Sequence, residues 1–408
     1  MKEDKIKLAV ILDQKIYSGG GYQQSINAAL IAKTLSKNLV DVIFYTTEVE
    51  NLAVLEEKKI SAQLIKLSFF EKIRIFIYRK IKDRYLFQVF RSIEKFNPRE
   101  KKFIKDKIDL VYFLSPTSWP LDLDNINYIT TVWDLSHLQE HEFPEVRFNR
   151  EFERRENNYE SILKKATAVV VDSQNSFLNV IKKYRLDENR VKIIPFQSGY
   201  ETRNYSKNFN PSKIKIKKKY NINNPYVFYP AQFWSHKNHI YLLKGLKILQ
   251  ENYGVKLDVI FCGNDNGNLK YIKDQVIKLE IYDRVHFLGF VSNQEIVEIY
   301  SQAIALVMPT YFGPTNIPPL EAFQIGVPVI YSNIEGSKEQ LGEAALYVDL
   351  KNPLSLANQL KRLMDDENLK NKLIAEGKKK SEYNNSINRS HVLETIIKEF
   401  KHKRDCWN

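Results

Sequence analysis

Only two cysteines, Cys262 and Cys406, occur in 408 residues. They lie far apart and in no metal-ligand spacing, which argues against a disulfide framework or a zinc site and suits a reducing, cytoplasmic location. Long apolar runs are missing as well, and no stretch approaches the roughly 20 residues of a membrane span. The run Ile6–Leu12 is short, follows mixed charges and ends at Asp13 without a small-residue cleavage site. It reads as a first buried strand, not a signal peptide. No DNA- or RNA-binding motif is recognisable, although 62 basic against 49 acidic residues leave a net charge of +13. That surplus suits phosphorylated small molecules or an anionic membrane, and nucleic acid is not expected as a partner.

What is present is the material for sizeable cores, 43% hydrophobic and 12% aromatic residues, in a chain too long for one of them. Short β-branched runs alternate with amphipathic stretches. The expected strands are Ile6–Leu12, Val40–Thr46, Asp109–Leu114, Tyr128–Val132, Ala168–Val171 and Val191–Ile194, then Tyr226–Tyr229, Leu257–Cys262, Val285–Leu288, Ala305–Met308 and Val327–Tyr331. They lack period-two alternation, as parallel strands covered on both faces do. Helical patterns such as Tyr22–Ser36, Glu151–Lys165, Ile240–Asn252 and Asn293–Ser301 separate them, so the fold class is α/β with parallel sheets. The lysine-rich stretch Gln197–Asn223 is the best linker, and the tail from about Asn368 is helical in composition.

Residues 69–107 break the rhythm. Lys72, Arg74, Arg79, Lys80, Lys82 and Arg84 interleave with aromatics, while Ile73, Ile77, Ile81 and Tyr85 recur at helical spacing. Two readings stand side by side: a basic amphipathic helix lying in the headgroup layer of a membrane, or a core-packing helix with a solvated outer face.

Four segments carry candidate chemistry. Gly19, Gly20 and Gly21 follow Ser18 after the first strand and precede a helix, where backbone can approach an anion closely, although the stretch matches neither a dinucleotide fingerprint nor a P-loop. Pro230–His239 follows the first strand of the second half, and its Lys237 offers a point charge to a diphosphate. His236 and His239 lack a third ligand, so no metal is expected there. Pro309–Phe323 follows a strand with a Gly313-Pro314-Thr315-Asn316 turn suited to sugar hydroxyls and phosphate oxygens. Glu321 can accept two hydrogen bonds from a ribose diol, or serve only as a helix N-terminal charge. Val132–His137 ends another strand, where Asp134 and His137 are candidates facing a cleft, a structural histidine being the alternative. Asp122-Leu123-Asp124 reads as a surface loop and not as a metal-binding pair.

Together these features resemble the large retaining glycosyltransferase family four, of bacterial surface-polysaccharide type. The resemblance rests on Ala231-Gln232…Lys237-Asn238, on Phe287-Leu288-Gly289-Phe290-Val291, and on Gly313…Glu321. It implies a GT-B fold: two Rossmann-like domains facing across a cleft, with the C-terminal helix crossing back to the first. The domains would be 1–205 (acceptor, plus a crossing helix at about 385–408) and 206–384 (donor). It further implies that Lys237 holds the diphosphate, Gly289, Phe290 and Val291 line a base pocket, and Glu321 holds the ribose. Thr315 and Asn316 would grip sugar and phosphate, with Gly19–Gly21 near the phosphates. Three positions depart from the family pattern. Gln232 replaces an arginine, Gly313 replaces a glutamate, and Trp133 replaces a histidine for which His137 would stand in.

The implied activity moves a hexose-type sugar from a nucleotide-diphosphate sugar to a glycan or lipid-linked acceptor. No cofactor or metal is needed, and the place of action is the cytoplasm or the inner membrane face. A sugar-nucleotide epimerase and a non-catalytic partner subunit are the alternatives.

Overall fold

The structure is a computed structural model and describes residues 5–15, 19–80, 97–207, 216–313 and 315–407. Ser18, Pro314 and most of the basic stretch beyond Lys80 therefore lie outside the described residues.

Two parallel sheets organise the chain. The first is built from β1 (Ile6–Leu12), β2 (Val40–Thr46), β3 (Ala62–Leu64), β4 (Leu110–Phe113), β5 (Asn127–Thr131), β6 (Ala168–Val171) and β7 (Val191–Ile193). Their spatial order is β3-β2-β1-β4-β5-β6-β7. The second holds β8 (Tyr226–Pro230), β9 (Asp258–Cys262), β10 (Val285–Gly289), β11 (Leu306–Met308), β12 (Val329–Ser332) and β13 (Ala345–Val348). Its order is β10-β9-β8-β11-β12-β13. Central strands are buried on both faces, which is why they read as continuous apolar runs. Each sheet reverses its strand order once, between β1 and β4 and between β8 and β11. In such sheets the crevice beyond the strand ends at the reversal is where ligands bind.

The chain divides into two compact units. Unit one comprises Met1–Leu135, Glu153–Pro195 and Asn388–Asn408, and unit two comprises Ser136–Phe152 and Phe196–Ile387. This departs from a boundary at 205/206 in two places. Ser136–Phe152 joins the second unit through contacts that sequence order does not reveal. The lysine-rich stretch after Gln197 is not a bare linker, since Tyr200–Lys207 and Ile216–Lys219 are helices of unit two.

The last helix, Arg389–Arg404, is part of unit one. It buries Leu393, Ile396, Ile397 and Phe400. Arg389 Nε donates to the Pro195 carbonyl at 2.8 Å, and Arg404 Nε to Asp109 at 3.1 Å.

Asp122 is fully buried, not on a surface loop. Arg79 (2.7 Å) and Arg99 (2.5 Å) both reach its carboxylate, and Arg99 also lies 4.1 Å from the Trp119 ring centre. Arg79 closes the helix Phe69–Lys80, which packs through Arg79 and the buried Ile75. The stripe that the core-packing reading would bury is turned outward: Ile73 and Ile77 are exposed, together with Phe69, Phe70 and Phe76. Ile81 and Tyr85 lie outside the described residues.

Candidate functional site

The turns that follow β8 and β11 flank the order reversal of the second sheet, and the sequence places Lys237 on one and Asn316 on the other. The turn after β8 is a single 3-10 turn, Ser235–Lys237. Tyr229, at the end of β8, donates its hydroxyl to the Lys237 carbonyl at 2.8 Å. The Lys237 ammonium lies 3.4 Å from Asn316 Oδ1. Two elements that are neighbours only in the sheet thus bring a cation and an amide together.

Asn316 is held from several sides. Its amide nitrogen donates to the Gly313 carbonyl at 2.5 Å and to the Tyr331 hydroxyl at 2.6 Å. The Tyr331 hydroxyl donates in turn to the Gly313 carbonyl at 2.7 Å. Gln340 closes the other side, accepting from the Asn316 N–H at 3.0 Å and donating to its carbonyl at 3.1 Å. Gly313 has φ +73°, and a Cβ there would stand 2.9 Å from Asn316 Nδ2. A glutamate does not fit that backbone or that space, so the Gly313 departure and the presence of Asn316 are one structural fact. Thr315 lies in the same turn and is half-buried.

Gln232 serves the turn and not as a cation. Its Oε1 accepts from Trp234 Nε1 at 3.1 Å and from Asn266 Nδ2 at 3.0 Å. Glu321 is buried in the helix Ile317–Ile325 and is already engaged. Thr202 donates to Oε1 at 3.0 Å and Tyr300 to Oε2 at 3.2 Å, with a further bond from the Gly199 backbone. Burial raises its pKa, opposed by those hydrogen bonds and by the Arg203 charge. Gly289 ends β10 with φ +64°, Phe290 is exposed and Val291 is buried. That segment lies two strands from β8 in the sheet.

His236 and His239 serve different neighbours. His239 is buried among Tyr229, Phe233 and Phe261, with ring centres 4.8–5.0 Å away, and burial, aided by the Lys237 charge, drives its pKa down to about 3. His236 stacks on Phe312 at 4.3 Å and pairs with Glu145.

In unit one, Gly19 has φ +63° and caps the helix Gly20–Lys33, so Gly20 and Gly21 sit inside its first turn, two residues earlier than the pattern suggests. A Cβ on Gly21 would stand 3.1 Å from the Trp133 ring, and no described atom lies within 4 Å of one on Gly20. Asp134 follows β5 and lies 3.4 Å from Arg155. His137, expected to face a cleft, is not exposed. It is fully buried in the short helix Ser136–Gln139, edge-on to Phe152 at 5.8 Å, which favours the structural reading.

Sequence reasoning missed Tyr331, Gln340, Thr202, Tyr300 and the role of Glu145. Tyr331 alone carried a signal, since it ends an expected strand beside the turn. The others depend on which segments fold together.

Residues 212–380 match the family described as Glycosyl transferases group 1. Over 185 residues the chain is 31% identical to the O-antigen chain mannosyltransferase RfbU of Salmonella typhimurium, covering 45% of this chain and 47% of that protein. The chain spans about half the length of the first curated relatives it matches. A glycosyltransferase from Rickettsia africae superposes with a TM-score of 0.71 at 16% identity, covering 97% of this chain and 99% of its own. Anabaena HepE, solved with UDP and glucose, gives 0.68 at 15% identity, covering 98% and 100%. At such identities these two speak to fold alone. Residues 212–380 are thus a glycosyl transferases group 1 domain, carried by a chain of GT-B fold with two Rossmann-like units.

Proposed function

We propose that the chain is a retaining glycosyltransferase. It would move a hexose, mannose being the sugar suggested by the O-antigen relative, from a nucleotide-diphosphate sugar to a glycan or lipid-linked acceptor of a surface polysaccharide. The observation that carries this reading is the approach of Lys237 to Asn316 at a strand-order reversal. There a fixed cation and a fixed amide can meet a diphosphate and a sugar.

In this scheme the bond from the anomeric carbon to the diphosphate oxygen breaks, and the acceptor hydroxyl attacks on the same face. Its proton passes to the departing phosphate, so the configuration is retained without an enzymic nucleophile. What the protein supplies is position and stabilisation of the growing negative charge, the work assigned to Lys237 and the Thr315–Asn316 turn. Glu321 takes the ribose diol, exchanging its bond from Thr202 for one from the ligand. Asp134 remains the candidate for contact with the transferred sugar.

The exposed Phe69, Phe70 and Phe76 beside basic residues support peripheral contact with an anionic membrane, where a lipid-linked acceptor would reside. No helix among the described residues is long and apolar enough to cross one. Sedimentation with anionic vesicles should fall sharply for Phe69→Ser/Phe70→Ser, and equal sedimentation would end that part of the reading.

The deciding experiment is thermal unfolding with UDP, GDP, dTDP, CDP and ADP. A ligand at 100 times its Kd adds about 2.7 kcal/mol, a readable shift in Tm. One diphosphate should stabilise the wild type and neither Lys237→Ala nor Glu321→Ala. Stabilisation by none at millimolar concentration rejects the donor site and favours a non-catalytic partner subunit.

A further inference from the structure

Ser136–Phe152 comes from the first half of the sequence but belongs to unit two. Within it Glu145, in the short helix Pro144–Arg147, reaches His236. Its Oε1 accepts the His236 backbone N–H at 2.8 Å and pairs with ring Nδ1. The two side chains are only 10% and 12% exposed, so the interaction is little screened. Burial pushes the Glu145 carboxyl up, but the bonds from the His236 ring and backbone outweigh it and hold the group below the usual glutamate range.

His236 also grips the turn after β11. Its ring stacks on Phe312 with planes 13° apart, and Phe143 packs edge-on to Phe312 at 5.1 Å. The His236 carbonyl accepts the Tyr311 N–H at 2.9 Å and the Thr310 hydroxyl at 3.4 Å. The next residue along the chain is Lys237, and the clamped turn runs on to Gly313 and Asn316. One carboxylate from a distant segment therefore holds the residue that links the two turns carrying the proposed donor contacts.

We infer that Glu145 is a positioning residue for Lys237. By holding His236 against Phe312, it fixes the Ser235–Lys237 turn relative to Tyr311–Asn316 and so sets where the ammonium meets a diphosphate. Glu145 itself touches no substrate. The inference rests on the reading of Lys237 as the diphosphate ligand.

The test uses Glu145→Gln, which keeps the shape and removes the charge. Hydrogen exchange over residues 234–238 and 310–316 is measured by mass spectrometry. In parallel, the Kd of the tightest-binding member of the five diphosphates is measured in wild type, Glu145→Gln, Lys237→Met and the double variant. Exchange should rise in both turns. The substitution should weaken binding about tenfold beside Lys237, or about 1.4 kcal/mol, and less than about twofold beside Met.

Unchanged exchange overturns the brace whatever the nucleotides do. Equal weakening in both backgrounds overturns the route through Lys237, and raised exchange with unchanged Kd reduces Glu145 to a structural role. If no diphosphate binds the wild type, the donor reading is what fails, and exchange alone still decides whether Glu145 braces the turns. Should Glu145→Gln not fold, His236→Gln opens the same pair and carries the same expectations.

Discussion

Both units present a strand-order reversal, and they furnish it in opposite ways. In unit two the turns beyond β8 and β11 are tied to each other, to the β12 tyrosine and to Gln340, so Lys237 and Asn316 have little freedom. In unit one the glycine-rich helix start after β1 has no described atom within 4 Å of a Cβ on Gly20, and Asp13 beside it accepts from Ser115 at 2.6 Å. Burial raises the Asp13 pKa against the Ser115 and Thr117 hydrogen bonds. A fixed site suits a ligand part that never changes, as a diphosphate would be, because preorganised groups lose no freedom on binding.

The contrast can be broken at several points. The largest effect is expected from acid acting on His239. Its folded pKa of about 3 lies below the ordinary 6.5, so the stability tied to its neutral form is complete above pH 6.5. That stability drains as pH falls from 6.5 toward 3, by at most about 1.4 kcal/mol per pH unit. Urea midpoints followed through exchange in β8 should show this loss, and His239→Phe should flatten it. A wild type equally stable at pH 4 and 7 would refute a buried neutral imidazole.

Next comes the ion cluster of unit one. Asp122→Ala leaves Arg79 and Arg99 without their shared carboxylate and should cost about 3–5 kcal/mol in urea unfolding of that unit, with nucleotide affinity of any surviving fold unchanged. A loss below 1 kcal/mol, on the scale of an exposed pair, would show the cluster to be peripheral.

Gly313→Glu restores the family residue at a position where the backbone is left-handed and Asn316 fills the space. It should destabilise unit two by about 1–3 kcal/mol and weaken diphosphate binding. Tighter binding would mean that the turn rearranges to accept the glutamate. The smallest expected effect is at Thr202→Val, which removes one donor from Glu321. If the ribose displaces that donor, affinity should rise a few-fold, on the order of 1 kcal/mol. A fall in affinity would make Thr202 an orienting partner of Glu321 and not its competitor.

Most strands are legible in the sequence as short apolar runs between turn residues. Eleven runs are expected, and each overlaps a strand, with β1, β2 and β6 matching at both ends. The two that went unread, Ala62–Leu64 and Ala345–Val348, are the short edge strands β3 and β13. Three or four residues leave little pattern to read, and edge position alone is not the reason, since the edge strands β7 and β10 are legible. The helix begins at Gly20, two residues before the expected start, because glycine signals a turn in sequence, whereas Gly20 and Gly21 lie in the helix with Gly21 close to Trp133. Lys237, Asn316 and Glu321 could be picked out because turn residues and charges cluster at strand ends. Their mutual geometry remained unknown until the β8–β11 pairing was seen.

The sequence by itself determined the α/β alternation, the parallel sheets and the positions of the loops that can meet a ligand, because burial on both faces and turn chemistry are written locally. Only the tertiary structure decided that Glu145 serves His236, that Thr202 occupies Glu321, and that His137 is enclosed. Those are contacts between residues distant in the sequence, and no local pattern records them, since each depends on which surfaces the packed sheets and helices leave beside one another.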